Sequence, residues 1–267
     1  MGIVAVLIIS FVAFYMVFNV IIEPAYVFFY NRPLYVHLYI FPKKVEDIHK
    51  YILRNEFSFY KNLSSIKKRY FEHRVRSFVE NYQFVGREGL EVTEDMKVRI
   101  AAIWVQLTFG MRNYLAEVFT TILIYPDIFN SVINEEYHKG EFNPSAGVVV
   151  FSWKHFMEGI KYDNDNLNLG LHEFAHVLHF NSAGKRRAGT SEIVYCDMFT
   201  KIMEYATNSN NAAKLRDSQY FREYAFTNRF EFIAVVLEHF FETPKLFRQN
   251  FPELHEMVGK MINQRGA

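Results

Sequence analysis

The chain has a single cysteine, Cys196, among its 267 residues. No intrachain disulfide can form and no cysteine-built zinc cluster exists, so a disulfide-stapled secreted domain is excluded. Any metal must be held by His, Asp and Glu. An excess of one charge is missing too: 30 Lys and Arg face 29 Asp and Glu, a net charge of +1. Such a chain has no global pull on nucleic acid or a strongly acidic partner, and nucleic acid is not expected among its partners. Internal repeats and low-complexity segments are absent. What the chain does have is apolar mass: 50% hydrophobic residues, with 28 Phe and 17 Tyr, far too much for a disordered chain and enough for a sizeable core.

Charge is absent locally from Ile3 to Ile22. A helix over those 20 apolar residues spans about 30 Å, the thickness of a bilayer's hydrocarbon. Ser10 and Asn19 are its only strongly polar interruptions, and Tyr26, Phe28, Phe29 and Tyr30 beyond it fit an interfacial aromatic belt. A basic leader and a small-residue cleavage site are lacking, so the segment reads as a single-pass transmembrane anchor rather than a signal peptide. Arg32, Lys43 and Lys44 follow the span and no Lys or Arg precedes it, which predicts a cytoplasmic C-terminal part. Residues 1–41 are therefore expected to form the anchor and juxtamembrane segment, and residues 42–267 one globular domain.

Within that domain, residues 42–60 read as a linker passing into a first helix. Helical spacing of Ile66, Tyr70, Phe71, Val75, Phe78 and Val79 predicts a helix over 61–82. Lys61, Lys67, Lys68, Arg69, Arg74 and Arg76 on it read as a solvated face, with contact to anionic lipid as the functional alternative. Thr93 followed by Glu94 and Asp95 predicts a helix start that runs to about Phe109, ahead of Gly110. Residues 118–125 and 147–153 read as strands, and the polar stretch between them, with Asn134, Glu135, Glu136, His138, Gly140 and Pro144, as a loop. DNDNLNLG (163–170) lacks the Gly and Glu of a calcium loop, because Asn168 and Phe174 stand at those positions. It reads as a turn with a helix cap.

The chemistry lies in LHEFAHVLHF, which holds His172, Glu173 and His176. Four residues apart on a helix, two imidazoles share a face and can reach one metal ion. Neutral imidazoles bind Zn²⁺ without cancelling its charge, and Glu173 beside them can take a proton from an attacking water and return it to a leaving amine. A hydrolytic zinc site needs a third protein ligand. The best region is Tyr224–Pro244, where Glu231 and Glu238 lie seven apart on one face of an otherwise apolar helix. Buried carboxylates there would need a partner or a metal. The alternative is two exposed carboxylates on a solvated stripe. Cys196, in the apolar run IVYCDMF, reads as a structural cysteine.

HEFAH followed by EFIAVVLEHFFETP closely resembles the Mlc titration factor A family of zinc peptidases. GVVVFSW, IYPDIF and GLEVTEDMKVRIAAIWVQL resemble further segments of that family, so the likeness covers about residues 60–255 and leaves the N-terminal anchor as an addition. The resemblance implies a zincin-like metallopeptidase domain, mixed α/β and mostly helical (α+β), with a small sheet behind the metal helix. It implies zinc held by His172, His176 and Glu231, with Glu173 as general base. In the related anthrax lethal factor fold a tyrosine seven residues before the ligand glutamate stabilises the oxyanion, and Tyr224 stands seven before Glu231. Glu238 would orient a ligand histidine through its free ring N–H. The family's HEFAHxLD departs here, because His179 replaces the aspartate; either His179 substitutes for it or the support of the ligands is rearranged. Strand residues Val149, Val150, Phe151 and Ser152 correspond to the edge strand that pairs with substrate in zincins, unless that strand is central and fully paired. The expected partners are a peptide or protein substrate and the membrane. The alternative function is a zincin-fold regulatory module that binds a protein such as a transcription regulator.

Overall fold

The structure, a computed structural model, describes residues 2–131, 136–185 and 188–264. Asn134 and Glu135 of the expected loop lie outside the described residues. The chain opens with α1 (Gly2–Val17), a π-helical turn (Phe18–Ile22) and α2 (Glu23–Tyr30). Together they form a helical stretch, Ile3–Tyr30, long and apolar enough to cross a membrane, and its most apolar part is buried against nothing. The side-chain amide of Asn19 donates to the carbonyl of Tyr15, so this polar interruption is satisfied within the helix.

The expected linker is shorter than predicted. It holds α3 (Asp47–Glu56) and α4 (Ser58–Asn62), because Ile52, Leu53, Phe57 and Tyr60 are core residues that require a packed segment. Helix α5 (Ser65–Asn81) starts later than predicted, since Leu63 and Ser64 are extended. Arg74 does not belong to a solvated face. Fully buried, it donates to the carbonyls of Val36, Thr108, Phe109 and Met111 and to the Tyr39 hydroxyl. Residues 36–39, assigned by sequence to the juxtamembrane segment, are thereby packed on α5.

Next come β1 (Gln83–Gly86), not anticipated, and α6 (Glu94–Thr108), whose start is capped as expected by the Thr93 hydroxyl accepting from the Met96 amide. Strand β2 (Thr121–Tyr125) falls within the predicted 118–125. The expected loop contains β3 (Phe129–Asn130), β4 (Tyr137–His138) and β5 (Gly140–Asn143), whose polar, glycine-containing residues carry no strand signature. Strand β6 (Val148–Ser152) ends one residue early, because Ser152 caps α7 (Trp153–Lys161) by accepting from the His155 amide.

The main sheet runs β1-β2-β6-β5, with β1, β2 and β6 parallel and β5 antiparallel to β6. Strand β6 is therefore central. Thr121–Tyr125 pair with Val148–Ser152 on one side and Gly140–Asn143 pair with Val148–Phe151 on the other. The expected edge role of Val149, Val150, Phe151 and Ser152 fails. All four are buried, and the Ser152 hydroxyl bonds the His155 ring. Among the described residues, the outermost strand on that side is β5.

The rest is helical: α8 (Leu169–Gly184), α9 (Ser191–Thr207), α10 (Ser209–Asp217), a 3₁₀ turn (Glu223–Phe226), α11 (Arg229–Glu242), α12 (Pro244–Asn250) and α13 (Pro252–Met261). The buried back of α8 rests on an aromatic cluster in which Phe174 meets Trp104 at 5.3 Å, Phe151 at 5.2 Å and Phe78 at 6.2 Å. Within the predicted turn and cap at 163–170, it is Asn168 that caps α8, accepting from the Leu171 amide.

The turn before α8 is also bolted to the end of α11. Asn166, with φ +60°, donates its amide to Glu242 Oε2 at 2.7 Å, and the Asn168 side chain donates to Glu242 Oε1 at 3.1 Å. Burial raises the Glu242 pKa to about 8 against the pull of these donors. The folded chain thus prefers the protonated acid. That contribution is complete below the ordinary value of 4.5 and is lost as pH rises through about 8. Denaturant unfolding from pH 5 to pH 9 is expected to show falling stability, with Glu242→Gln flattening the fall; an unchanged slope in the variant would remove Glu242 as its source.

Candidate metal centre

Helices α8 and α11 pack face to face, and their facing turns bring the predicted residues together. Glu231 sits in the first turn of α11, where Asn228 Oδ1 accepts from the amides of Phe230 and Glu231 at 2.8 and 3.1 Å. This cap fixes the start of the helix, and the helix dipole favours a carboxylate there. Glu231 Oε2 lies 2.9 Å from His172 Nε2, and Oε1 lies 3.5 Å from His176 Nε2. One ligand atom from each of His172, His176 and Glu231 lies within 4.8 Å of the others. Donors about 2.0–2.1 Å from a tetrahedral zinc ion stand about 3.3 Å apart, so the donor set and its spacing fit such an ion.

The electrostatics suit a cation as well. Burial alone would lower the His172 pKa, but hydrogen bonds to Glu231 and Glu238 outweigh it and hold it at about 10. Burial pushes Glu231 up, and its bonds to His172 and His176 win, holding it well below the usual carboxylate range. Glu173 is buried beside them. Burial raises its pKa, opposed by the two histidines and reinforced by Glu231 and Glu141.

The Glu173 side chain is pressed against β5. A Cβ added at Gly140 would stand 2.7 Å from Glu173 Cγ and 2.8 Å from its Oε1, so a side chain there would displace Glu173. Tyr224, in the 3₁₀ turn, is half-exposed, with its ring 5.9 Å from that of His172. Burial, followed by Glu231, raises its pKa to about 12, which keeps the phenol a proton donor at neutral pH.

Glu238, two turns beyond Glu231, is 1% exposed and accepts from His172 Nδ1 at 2.6 Å. Sequence reasoning did not find its second partner. Arg222 donates to both Glu238 oxygens, at 2.6 and 2.9 Å, and to the Asn166 carbonyl at 2.7 Å. No spacing pattern links Arg222 to the motif; it reaches the site through the 3₁₀ turn. Asn228 was also passed over, although Asn-x-x-Glu ahead of an apolar run is a readable helix-start signal. His179 lies elsewhere, its ring among Tyr195, Phe199 and Phe230, and its buried Nδ1 has no hydrogen-bond partner among the described residues. Burial first, then Arg229, lowers its pKa to about 4. The ring nitrogen of His172 that needs orienting is taken by Glu238.

Residues 37–262 match the sequence model of the glucose-regulated metallo-peptidase M90 family, well beyond the expected 60–255. The chain is 26% identical over 231 residues to the uncharacterized protein slr2042 of Synechocystis, covering 78% of this chain and 81% of the relative. It is 25% identical over 206 residues to Mlc titration factor A of Pectobacterium atrosepticum (70% and 75% covered) and 26% identical over 208 residues to that of Klebsiella pneumoniae (72% and 77% covered).

Arg222→Ala, which strands the Glu238 carboxylate, is expected to weaken metal binding about 10- to 100-fold. Arg222→Lys should recover part of the loss. Competition with a chromophoric chelator measures both; equal affinity in parent and Arg222→Ala would show that the guanidinium does not support the site.

Proposed function

The chain belongs to the M90 family of glucose-regulated metallo-peptidases, and from this premise we propose that it is a zinc-dependent peptidase held at the membrane by its N-terminal helix. The observation that carries the reading is the convergence of His172, His176 and Glu231 around one point, with the buried Glu173 beside it. Two imidazoles and one carboxylate suit zinc. When bound, such an ion lowers the pKa of water and polarises a carbonyl.

The chain's own groups do the rest. Glu173 takes the proton of the attacking water and delivers it to the leaving amine. Tyr224 donates its phenolic proton as a hydrogen bond to the oxygen on which charge develops. Glu238, held by Arg222, keeps one proton of His172 on Nδ1, which leaves Nε2, now bonded to Glu231, as the atom that would hold the ion once its own proton is displaced. An extended substrate pairs with β5, the last strand of the sheet among the described residues, whose Gly140 adjoins Glu173. The catalytic domain lies in the cytoplasm, on the strength of Arg32, Lys43 and Lys44, and begins by Val36, since Val36 and Tyr39 bond to Arg74.

A second reading draws on the relatives' name, which describes titration of a protein called Mlc. On that reading the domain is a regulatory module that captures a protein partner such as a transcription regulator, and hydrolysis is secondary.

Glu173→Gln separates the two. It is expected to keep its zinc and lose about 10²- to 10⁴-fold in peptide turnover, read by metal analysis and a peptide-library assay; full activity would dismiss Glu173 as the base. Tyr224→Phe should lower kcat about 10- to 10³-fold with unchanged metal content. Partner capture that survives Glu173→Gln in a chain without measurable turnover would favour the regulatory reading.

A further inference from the structure

The apolar helix does not swing free of the domain. Glu23, the residue after the apolar run, is buried, with its Oε1 2.6 Å from Arg112 Nη1 and its Oε2 3.3 Å from Nη2. Arg112 also donates to the Gly189 carbonyl, in the turn between α8 and α9, at 3.1 Å. Gly189 has φ +83°, and a Cβ there would stand 3.1 Å from Glu23 Cβ and Pro24 N, so this turn touches the helix directly. Val27, one turn further on, is buried as well.

The chain then doubles back. Asn31, in the left-handed region at φ +48°, ends α2, and Arg32 Nε donates to the Tyr26 hydroxyl at 3.1 Å. Tyr35 stacks on the Arg112 guanidinium, 4.4 Å from its ring centre. That is the same group that holds Glu23. The helix advances about 10 Å from Glu23 to Tyr30, and by Tyr35 the chain has returned to the level at which the apolar run ends. Beyond it Tyr39 is pinned by Arg74 and lies 4.1 Å from the His73 ring, which leaves its neighbours outside. Leu38, Ile40 and Phe41 are 74%, 83% and 90% exposed, and Phe28 and Phe29 on α2 are equally open. Five large apolar side chains in water beside the exit of an apolar helix form a patch that a soluble surface does not carry without a partner.

We propose that Leu38, Ile40, Phe41, Phe28 and Phe29 form a collar that inserts into the interfacial layer of the bilayer around the emerging helix, seating the domain directly on the membrane. The proposal rests on the membrane reading of the N-terminal helix. The interfacial layer is roughly 5–8 Å deep on each side of the hydrocarbon, and by helical rise Phe28 stands about 7.5 Å beyond Glu23, at its outer limit. The Glu23–Arg112 pair lets a carboxylate sit at that depth, because its charge is met by a bidentate partner as it leaves water.

The test uses the full chain in phosphatidylcholine–phosphatidylglycerol vesicles with brominated or ordinary acyl chains. Phe41→Trp introduces a reporter into the collar, and the exposed Leu167, just ahead of α8 and at the opposite end of that helix from Gly189, takes the control Leu167→Trp; α8 itself is about 24 Å long. The parent, with Trp104 and Trp153, sets the background. The added emission of Phe41→Trp is expected to shift to the blue and to fall by about half or more in brominated vesicles, while that of Leu167→Trp is unchanged. Protein that floats with the vesicles but shows an unquenched Phe41→Trp, or equal quenching at both positions, overturns the collar. Protein that fails to float overturns the membrane reading itself.

Discussion

A carboxylate with 1% exposure in the middle of an apolar helix is the constraint around which the domain is arranged. Glu238 would be strongly destabilising alone, since an uncompensated buried charge costs about 3–5 kcal/mol. It is tolerated because Arg222 meets both its oxygens and His172 meets one. The same helix supplies Glu231 two turns earlier, so His172 is held at Nδ1 by one carboxylate and at Nε2 by another. An imidazole fixed at both nitrogens has no freedom left to rotate. With the ring ordered beforehand, less conformational freedom is left to be lost when a metal binds.

The surroundings serve the same alignment. Arg222 also binds the Asn166 carbonyl, Asn166 binds Glu242, and Asn168 both caps α8 and donates to Glu242. The turn at Asn166–Asn168 is therefore the junction at which the start of the histidine helix, the end of the glutamate helix and the arginine are locked together. Behind it the aromatic cluster of Phe174, Trp104, Phe151 and Phe78 gives α8 a rigid back.

The parts of this arrangement that were legible in the sequence are local or periodic. His172, Glu173 and His176 announce themselves by helical spacing, and Glu231 and Glu238 by a seven-residue repeat on an apolar background. Thr93 is read correctly as a cap, and 163–170 as a turn that contains one, because capping is a matter of the next three residues. The parts that escaped depend on tertiary contact. Strand β5 is a short polar GEFN whose pairing exists only because β6 lies beside it. The central place of β6 cannot be read from its own apolar run, since edge and interior strands can share that pattern. Arg74 looks like a surface charge until four carbonyls are seen to converge on it. His179 drew notice because it replaces an expected aspartate, yet its place among Tyr195, Phe199 and Phe230 is set by α9 and the start of α11, which the motif does not contain.

Gly140 has a consequence for how such chains are told apart. The glutamate that would move protons leans on a strand that has no side chain at the point of contact. A single methyl group at that position would intrude on it while leaving HEFAH, Glu231 and Glu238 untouched. Two chains could thus share every letter of the motif and still differ in whether they cut. A protein that keeps its metal but has given up turnover would carry the mark of that change on the edge strand, where a search confined to the motif would not look.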